Sequence, residues 1–113
     1  MPSPSPDTFH PVMTKQLDCL AKRDLDGLMS NYADDAVLVR FDGSAAGLDE
    51  VRAGFKEYLA MEPEVVEIRD YAQTDDVIFY RASMKLGGQP EHAFGTLVLR
   101  DDKIWRQTAG FGV

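Results

Sequence analysis

An α+β fold, with helices packed on one face of a mainly antiparallel, curved sheet, is what the order of patterns along this chain predicts. Three observations carry that prediction. Apolar residues recur at helical spacing from Phe9 to Leu20 and again from Leu48 to Leu59. From Glu64 onward the period changes to two, as in half-buried strands. Gly87-Gly88 and Asp101-Asp102 then cut the alternating part into hairpins.

The elements follow in order. Residues 1–7, MPSPSPD, are rich in proline and serine and read as a disordered tail ahead of one domain over 8–113. Phe9, Val12, Met13, Gln16, Leu17 and Leu20 trace one stripe of a helix over 8–22, with Pro11 in its first turn. The run DLDGLMSNYADDAVLVRFD, residues 24–42, is the pivot of the chain. Asp24 suits an N-cap, Leu25, Leu28 and Met29 a short helix, Asp34-Asp35 a tight turn, and Val37, Leu38 and Val39 a strand over 36–41. Gly43 and Gly47 bracket a loop, and Leu48, Val51, Phe55, Tyr58 and Leu59 mark a third helix that Pro63 ends. Strands are predicted over 64–71, 77–86, 91–100 and 104–109. In the first of these Val66 and Ile68 oppose Glu67 and Arg69, and in the last Trp105 and Gln107 share one face. The order is α-α-β-α-β-β-β-β.

Composition narrows the function classes. Twelve basic against nineteen acidic residues give a net charge of -7, which argues against a nucleic-acid surface, since backbone binding needs a positive footprint. Cys19 is the only cysteine, so no intrachain disulfide and no paired-thiolate metal site can form. Two histidines without a spacing motif make a zinc site a poor expectation, and no cofactor motif is present. No apolar run of about 18 residues could span a membrane, and the N-terminus lacks a secretory pattern, so a cytoplasmic location is expected.

Three strings, RDLDGLMSNYADDAVL, Gly47 followed by LDEVRAGFKEYL, and the final hairpin ending DDKIWRQTAG, resemble the SnoaL-like members of the nuclear transport factor 2 superfamily. That group includes ketosteroid isomerases and polyketide cyclases. The resemblance implies a cone-shaped α+β barrel, with three N-terminal helices packed on a strongly curved, mainly antiparallel sheet. It also implies a small apolar or amphipathic ligand in the mouth of the cone and a homodimer through the outer sheet face. Carried across residue by residue, the catalytic tyrosine of the steroid isomerases falls at Gln16, their base at about Arg40 and their second acid near Gly95. None of the three side chains is of the required type, so chemistry of that kind is not expected. Asp42 could replace the base only with a two-residue shift of register.

Candidate catalytic residues are therefore Arg40, Asp42 and Tyr80. Arginine remains protonated and cannot be a base, but its fork of donors suits a carboxylate or enolate oxygen. A surface pairing with Asp42 or Asp35 is the alternative. Tyr80, on the apolar face of the longest strand, either donates to a ligand or satisfies a backbone carbonyl. Phe55, Tyr58, Met84, Leu97, Trp105 and Gln107 are the expected pocket lining. Glu91 and His92, adjacent at the start of a strand, would point to opposite faces, so a catalytic pair needs a loop conformation there and a surface or dimer-contact histidine is the expectation; Glu91 is nonetheless, with Asp42, the best available base. The expected function is small-molecule binding, with isomerisation or cyclisation of a hydrophobic carbonyl compound as its chemistry. The alternative is a non-catalytic dimerisation or interaction domain whose outer face holds Arg81, Ser83, Phe94, Thr96, Val98, Arg106 and Thr108.

Overall fold

The computed structural model describes residues 5–112. A 3-10 turn at Pro6–Thr8 leads into α1 (Pro11–Lys22) and α2 (Leu25–Met29). β1 (Tyr32–Arg40) and β2 (Gly43–Ala46) form a hairpin, α3 (Leu48–Ala60) follows, and β3 (Pro63–Gln73), β4 (Val77–Leu86), β5 (Gln89–Arg100) and β6 (Lys103–Phe111) complete the chain. Of the tail expected over residues 1–7, residues 1–4 lie outside the described residues.

One sheet holds all six strands in the order β2-β1-β6-β5-β4-β3. β1 and β6 run parallel, and the other neighbouring pairs are antiparallel. This corrects the expected cone-shaped barrel on a strongly curved sheet: the sheet is open and mixed, neither closed nor strongly curled. β2 and β3 sit at opposite edges. β2 has only four residues, mostly exposed, against eleven in β3, and offers little ladder for a closing seam. α3 instead packs against β1, β2 and β3. It also lies between β2 and β3 in the chain, so the helices are not all N-terminal.

Local chemistry explains the element boundaries. His10 caps α1, its Nδ1 accepting from the Val12 amide at 3.1 Å, and Pro11 takes the first helical position, where its missing N–H costs nothing. Helix one therefore starts three residues later than the expected residue 8. Asp24 caps α2 by accepting from the Gly27 amide at 3.0 Å. Asp34-Asp35, expected in a turn, lie within β1 as exposed residues, beside a break in the β1–β6 register between Tyr32 and Val37. Asp35 is there paired with Arg100, whose guanidinium holds its carboxyl below the usual range. Asp101 and Asp102 do form a hairpin turn, both with positive φ (53° and 61°), a conformation aspartate tolerates better than most residues.

β-Bulges overturn two expected facings. In β3 the pairing skips Val66 and Arg69, so strict alternation fails and Val66 is exposed while Val65 and Ile68 turn inward. In β6, Leu99 pairs with Ile104 and Val98 with Arg106, which leaves Trp105 as the extra residue. Ile104 consequently enters the core, fully buried, and Trp105 no longer shares a face with Gln107. Two guanidinium groups lie over its ring instead, with Arg106 Cζ 4.0 Å and Arg100 Cζ 5.2 Å from the ring centroid. The core proper joins Val12, Met13, Leu28, Val51, Phe55, Ile78, Leu97 and Ile104, where helices meet sheet.

Candidate functional site

Three cross-strand rungs build the inner face of the sheet next to α1 and α3. The deepest runs Leu38, Gln107, Leu97, Ile78; the middle one runs Arg40, Ala109, Gly95, Tyr80; the outermost runs Phe111, Ala93, Ala82. The middle rung is the informative one. Its two central members have almost no side chain, and its two ends are the longest polar side chains on this face. At roughly 4.8 Å per strand the Arg40 and Tyr80 backbones stand about 14 Å apart, with a trough between them.

The trough is part of a cavity of about 120 Å³. Its walls are mainly apolar, with Leu38, Phe55, Tyr58, Ile68, Met84 and Leu97 among them, and Phe41 and Phe111 also contribute to the lining. Arg40, Asp42, Tyr80 and Gln107 all contribute to the same cavity. Trp105, expected in this lining, is carried away from it by the β6 bulge. Glu91 and His92 are likewise outside the lining, and His92 lies on the surface with its Nδ1 3.3 Å from Arg69 Nη1. Residues that the sequence did not single out as lining include Met13, Gln16, Leu17 and Leu20 of α1. Their helical stripe was visible, but periodicity marks a buried face without saying that a cavity lies against it.

A directed chain of hydrogen bonds ends at this cavity. Asn31 Nδ2 donates to the Val12 carbonyl and to Gln16 Oε1, each at 3.0 Å. Gln16 Nε2 donates to the Tyr32 hydroxyl at 2.9 Å, and that hydroxyl donates to Gln107 Oε1. The direction is forced from one end. A backbone carbonyl can only accept, so it fixes the Asn31 amide; each following partner must then present the opposite group. Gln107 Nε2 makes no hydrogen bond among the described residues, on a side chain that lines the cavity; the sealed polar atom without a partner among those residues is instead Trp105 Nε1. Asn31, Gln16, Tyr32 and Gln107 are all buried, so the chain lies in a low-dielectric setting where such bonds reinforce one another.

Tyr80 supplies a second unspent donor. Its ring crosses β5 above Gly95, such that a Cβ on Gly95 would lie 2.7 Å from the Tyr80 hydroxyl. The hydroxyl makes no hydrogen bond among the described residues, and burial pushes its pKa up to about 12. It thus stays protonated through the neutral range. The Tyr58 phenol is also pushed upward by burial, and its hydroxyl is directed at Met84 Sδ, 3.7 Å away. Arg40 has one loose ionic contact, Nε to Asp42 Oδ1 at 3.6 Å, with side chains 34% and 59% exposed.

Nothing here assembles a metal centre: among the described residues no three His, Cys, Asp or Glu side chains converge. Among the same residues no helix is long and apolar enough to cross a membrane. Cys19 is buried, and burial followed by the Asp24 charge raises its thiol pKa, so it is an inert packing residue.

A family model for the SnoaL-like domain matches residues 13–107, which include α1, the hydrogen-bond chain and both ends of the middle rung. The chain belongs to the SnoaL-like family. Solved structures agree on the fold. A candidate polyketide cyclase from Sinorhizobium meliloti superposes with a TM-score of 0.78 at 18% identity, covering 89% of this chain and 94% of that one. A candidate ketosteroid isomerase from Kribbella flavida gives 0.80 at 14% identity, covering 90% and 76%. A protein of ketosteroid isomerase-like fold from Catenulispora acidiphila, in complex with trimethylamine, gives 0.72 at 15% identity, covering 90% and 85%. At these identities the likeness concerns the fold alone. A search of the curated proteins found no match. This SnoaL-like chain therefore shares its architecture with those proteins.

Proposed function

We propose that this SnoaL-like domain binds a compact, largely apolar molecule by a carbonyl-type oxygen. The observation that carries the reading is the pairing of two unspent donors, the Tyr80 hydroxyl and Gln107 Nε2, in one otherwise apolar cavity. Neither atom is sealed from the cavity, and donors that reach an apolar cavity without a protein partner are placed to meet a ligand acceptor. The cavity volume, about 120 Å³, falls below the roughly 300–1,000 Å³ usual for drug-sized ligands, which favours a molecule of about one ring. A ligand oxygen that both donors reach would also have developing charge stabilised, the requirement of isomerisation or cyclisation of a carbonyl compound. In that chemistry Asp42 is the carboxylate available at the cavity to take a proton.

Cyclohexanone and related small ketones test this in a thermal-shift titration. A ligand that binds only the folded chain raises its melting temperature in a saturable way. Tyr80→Phe and Gln107→Leu should each weaken binding by about 0.5–1.5 kcal/mol, roughly two- to tenfold. Saturable binding that neither variant alters would place the ligand elsewhere.

A second reading concerns the outer face. There the rung Phe79, Thr96, Thr108, Val39 carries two large apolar side chains that are 41% and 48% exposed, Phe79 and Val39. Arg81 beside it is neutralised by Asp70, Nη2 to Oδ2 at 2.7 Å, so the patch has no uncompensated charge there to oppose a second copy. Light scattering should return twice the mass of one chain, and Phe79→Glu should reduce it to one. A monomeric wild-type chain at micromolar concentration would refute this reading.

A further inference from the structure

We infer that the ligand of this cavity is a carboxylate: a compact apolar acid whose carboxyl group is held between Arg40 and Tyr80 across the trough floored by Ala109 and Gly95. The inference rests on the proposed small-molecule site and specifies its substrate class.

The polar inventory of the cavity is lopsided. Gln107 Nε2 can only donate, the Arg40 guanidinium can only donate, and the Tyr80 hydroxyl is available as a donor. The only carboxylate in the lining is Asp42, and it is more than half exposed. A ligand rich in acceptors satisfies this set, whereas one rich in donors leaves it unmatched. Arg40 is also incompletely used. Its single ionic contact is through Nε, at a distance longer than a hydrogen bond, so the two terminal nitrogens have no partner among the described residues. Those nitrogens form the edge that pairs with a carboxylate in bidentate fashion.

Placement agrees with chemistry. Arg40 and Tyr80 occupy the two ends of one rung, and the residues between them, Ala109 and Gly95, are the smallest that a sheet can offer. Any larger side chain at Gly95 would collide with the Tyr80 ring and close the trough. Below the rung, Leu38 and Leu97 flank Gln107 and provide an apolar floor for the body of the acid. The net charge of -7 repels anions at long range, so an anion site on this chain requires a local cation, and Arg40 is the cation that lines the cavity.

The test compares benzoate and cyclohexanecarboxylate with their neutral counterparts benzamide and cyclohexanone, by calorimetry and thermal shift on the whole chain. Both acids should bind more tightly than the neutral molecules. Arg40→Gln should weaken the acids roughly ten- to a hundredfold, as expected for loss of a charge-assisted pair, and leave benzamide nearly unchanged. Asp42→Asn, which removes the competing carboxylate, should tighten the acids, an effect that a purely structural Arg40–Asp42 pair would not produce. Circular dichroism checks that each variant keeps its fold. If cyclohexanone binds in a Tyr80-dependent manner but the acids bind no better than benzamide, or are indifferent to Arg40→Gln, the carboxylate assignment is overturned while the carbonyl-binding site stands. Failure of all four probes on a folded chain overturns both.

Discussion

Tyr32→Phe should destabilise the chain by about 2–6 kcal/mol, although it removes a single oxygen from a side chain of the same shape. The Tyr32 hydroxyl is the only link between Gln16 Nε2 and Gln107 Oε1, and all three residues are buried. Its removal orphans one donor and one acceptor, each at about 1–3 kcal/mol. Urea denaturation followed by circular dichroism measures the loss. A double variant, Tyr32→Phe with Gln107→Leu, separates this account from a simple packing defect. It removes the stranded acceptor together with its former donor, and should therefore recover part of the stability. A double variant less stable than Tyr32→Phe alone would show that Gln107 matters for its bulk. The same substitution has a consequence at the cavity. Without the hydroxyl, nothing holds the Gln107 amide with Nε2 outward, so ketone binding should weaken even though Tyr32 is absent from the cavity lining.

Gly95→Ala is the second large effect, and it couples stability to the site. A Cβ there would lie 2.6 Å from the Thr108 carbonyl oxygen and 2.7 Å from the Tyr80 hydroxyl. The Thr108 oxygen belongs to the backbone of the neighbouring strand and cannot swing away as a side chain does. Overpacking of this kind costs about 1–3 kcal/mol. The Tyr80 ring must also leave its position across β5, so the variant should lose ligand binding more completely than Tyr80→Phe, which keeps the ring in place. Melting temperature and a ketone titration read the two effects together. Unchanged stability with wild-type binding would mean that β5 and β6 separate more easily than their ladder suggests. Glycine is present here for side-chain and backbone clearance, since its φ is not in the left-handed region.

Much of the architecture was legible because it depends on short-range chemistry. Asp24 as a cap, Pro11 at the start of α1, Gly87-Gly88 and Asp101-Asp102 in hairpin turns, and the alternation of β4 are all fixed by neighbours in sequence. Most of the lining was legible for a related reason. Phe55, Tyr58, Tyr80, Met84, Leu97 and Gln107 lie on faces that a period of 3.6 or 2 marks as inward. Trp105 and Val66 were misplaced because a bulge is one extra residue against a partner strand, and a single strand does not contain its partner's spacing.

The sequence by itself determined the helices, five of the six strands, most of the turn chemistry and the family, since each rests on residue type at fixed spacing; it read the short strand Gly43–Ala46 as a loop and Asp34-Asp35 as a turn. Tertiary structure alone decided that the sheet stays open, because closure depends on which edges can meet. It alone decided that Arg40 and Tyr80 face each other over Ala109 and Gly95. Those four residues come from four strands, and only the register of parallel β1 against β6, with β5 and β4 beyond, lines them up. The orientation of Gln107 was decided at the same level, by the Val12 carbonyl acting through Asn31, Gln16 and Tyr32. A donor's direction is a property of the whole chain of partners, and no local pattern encodes it.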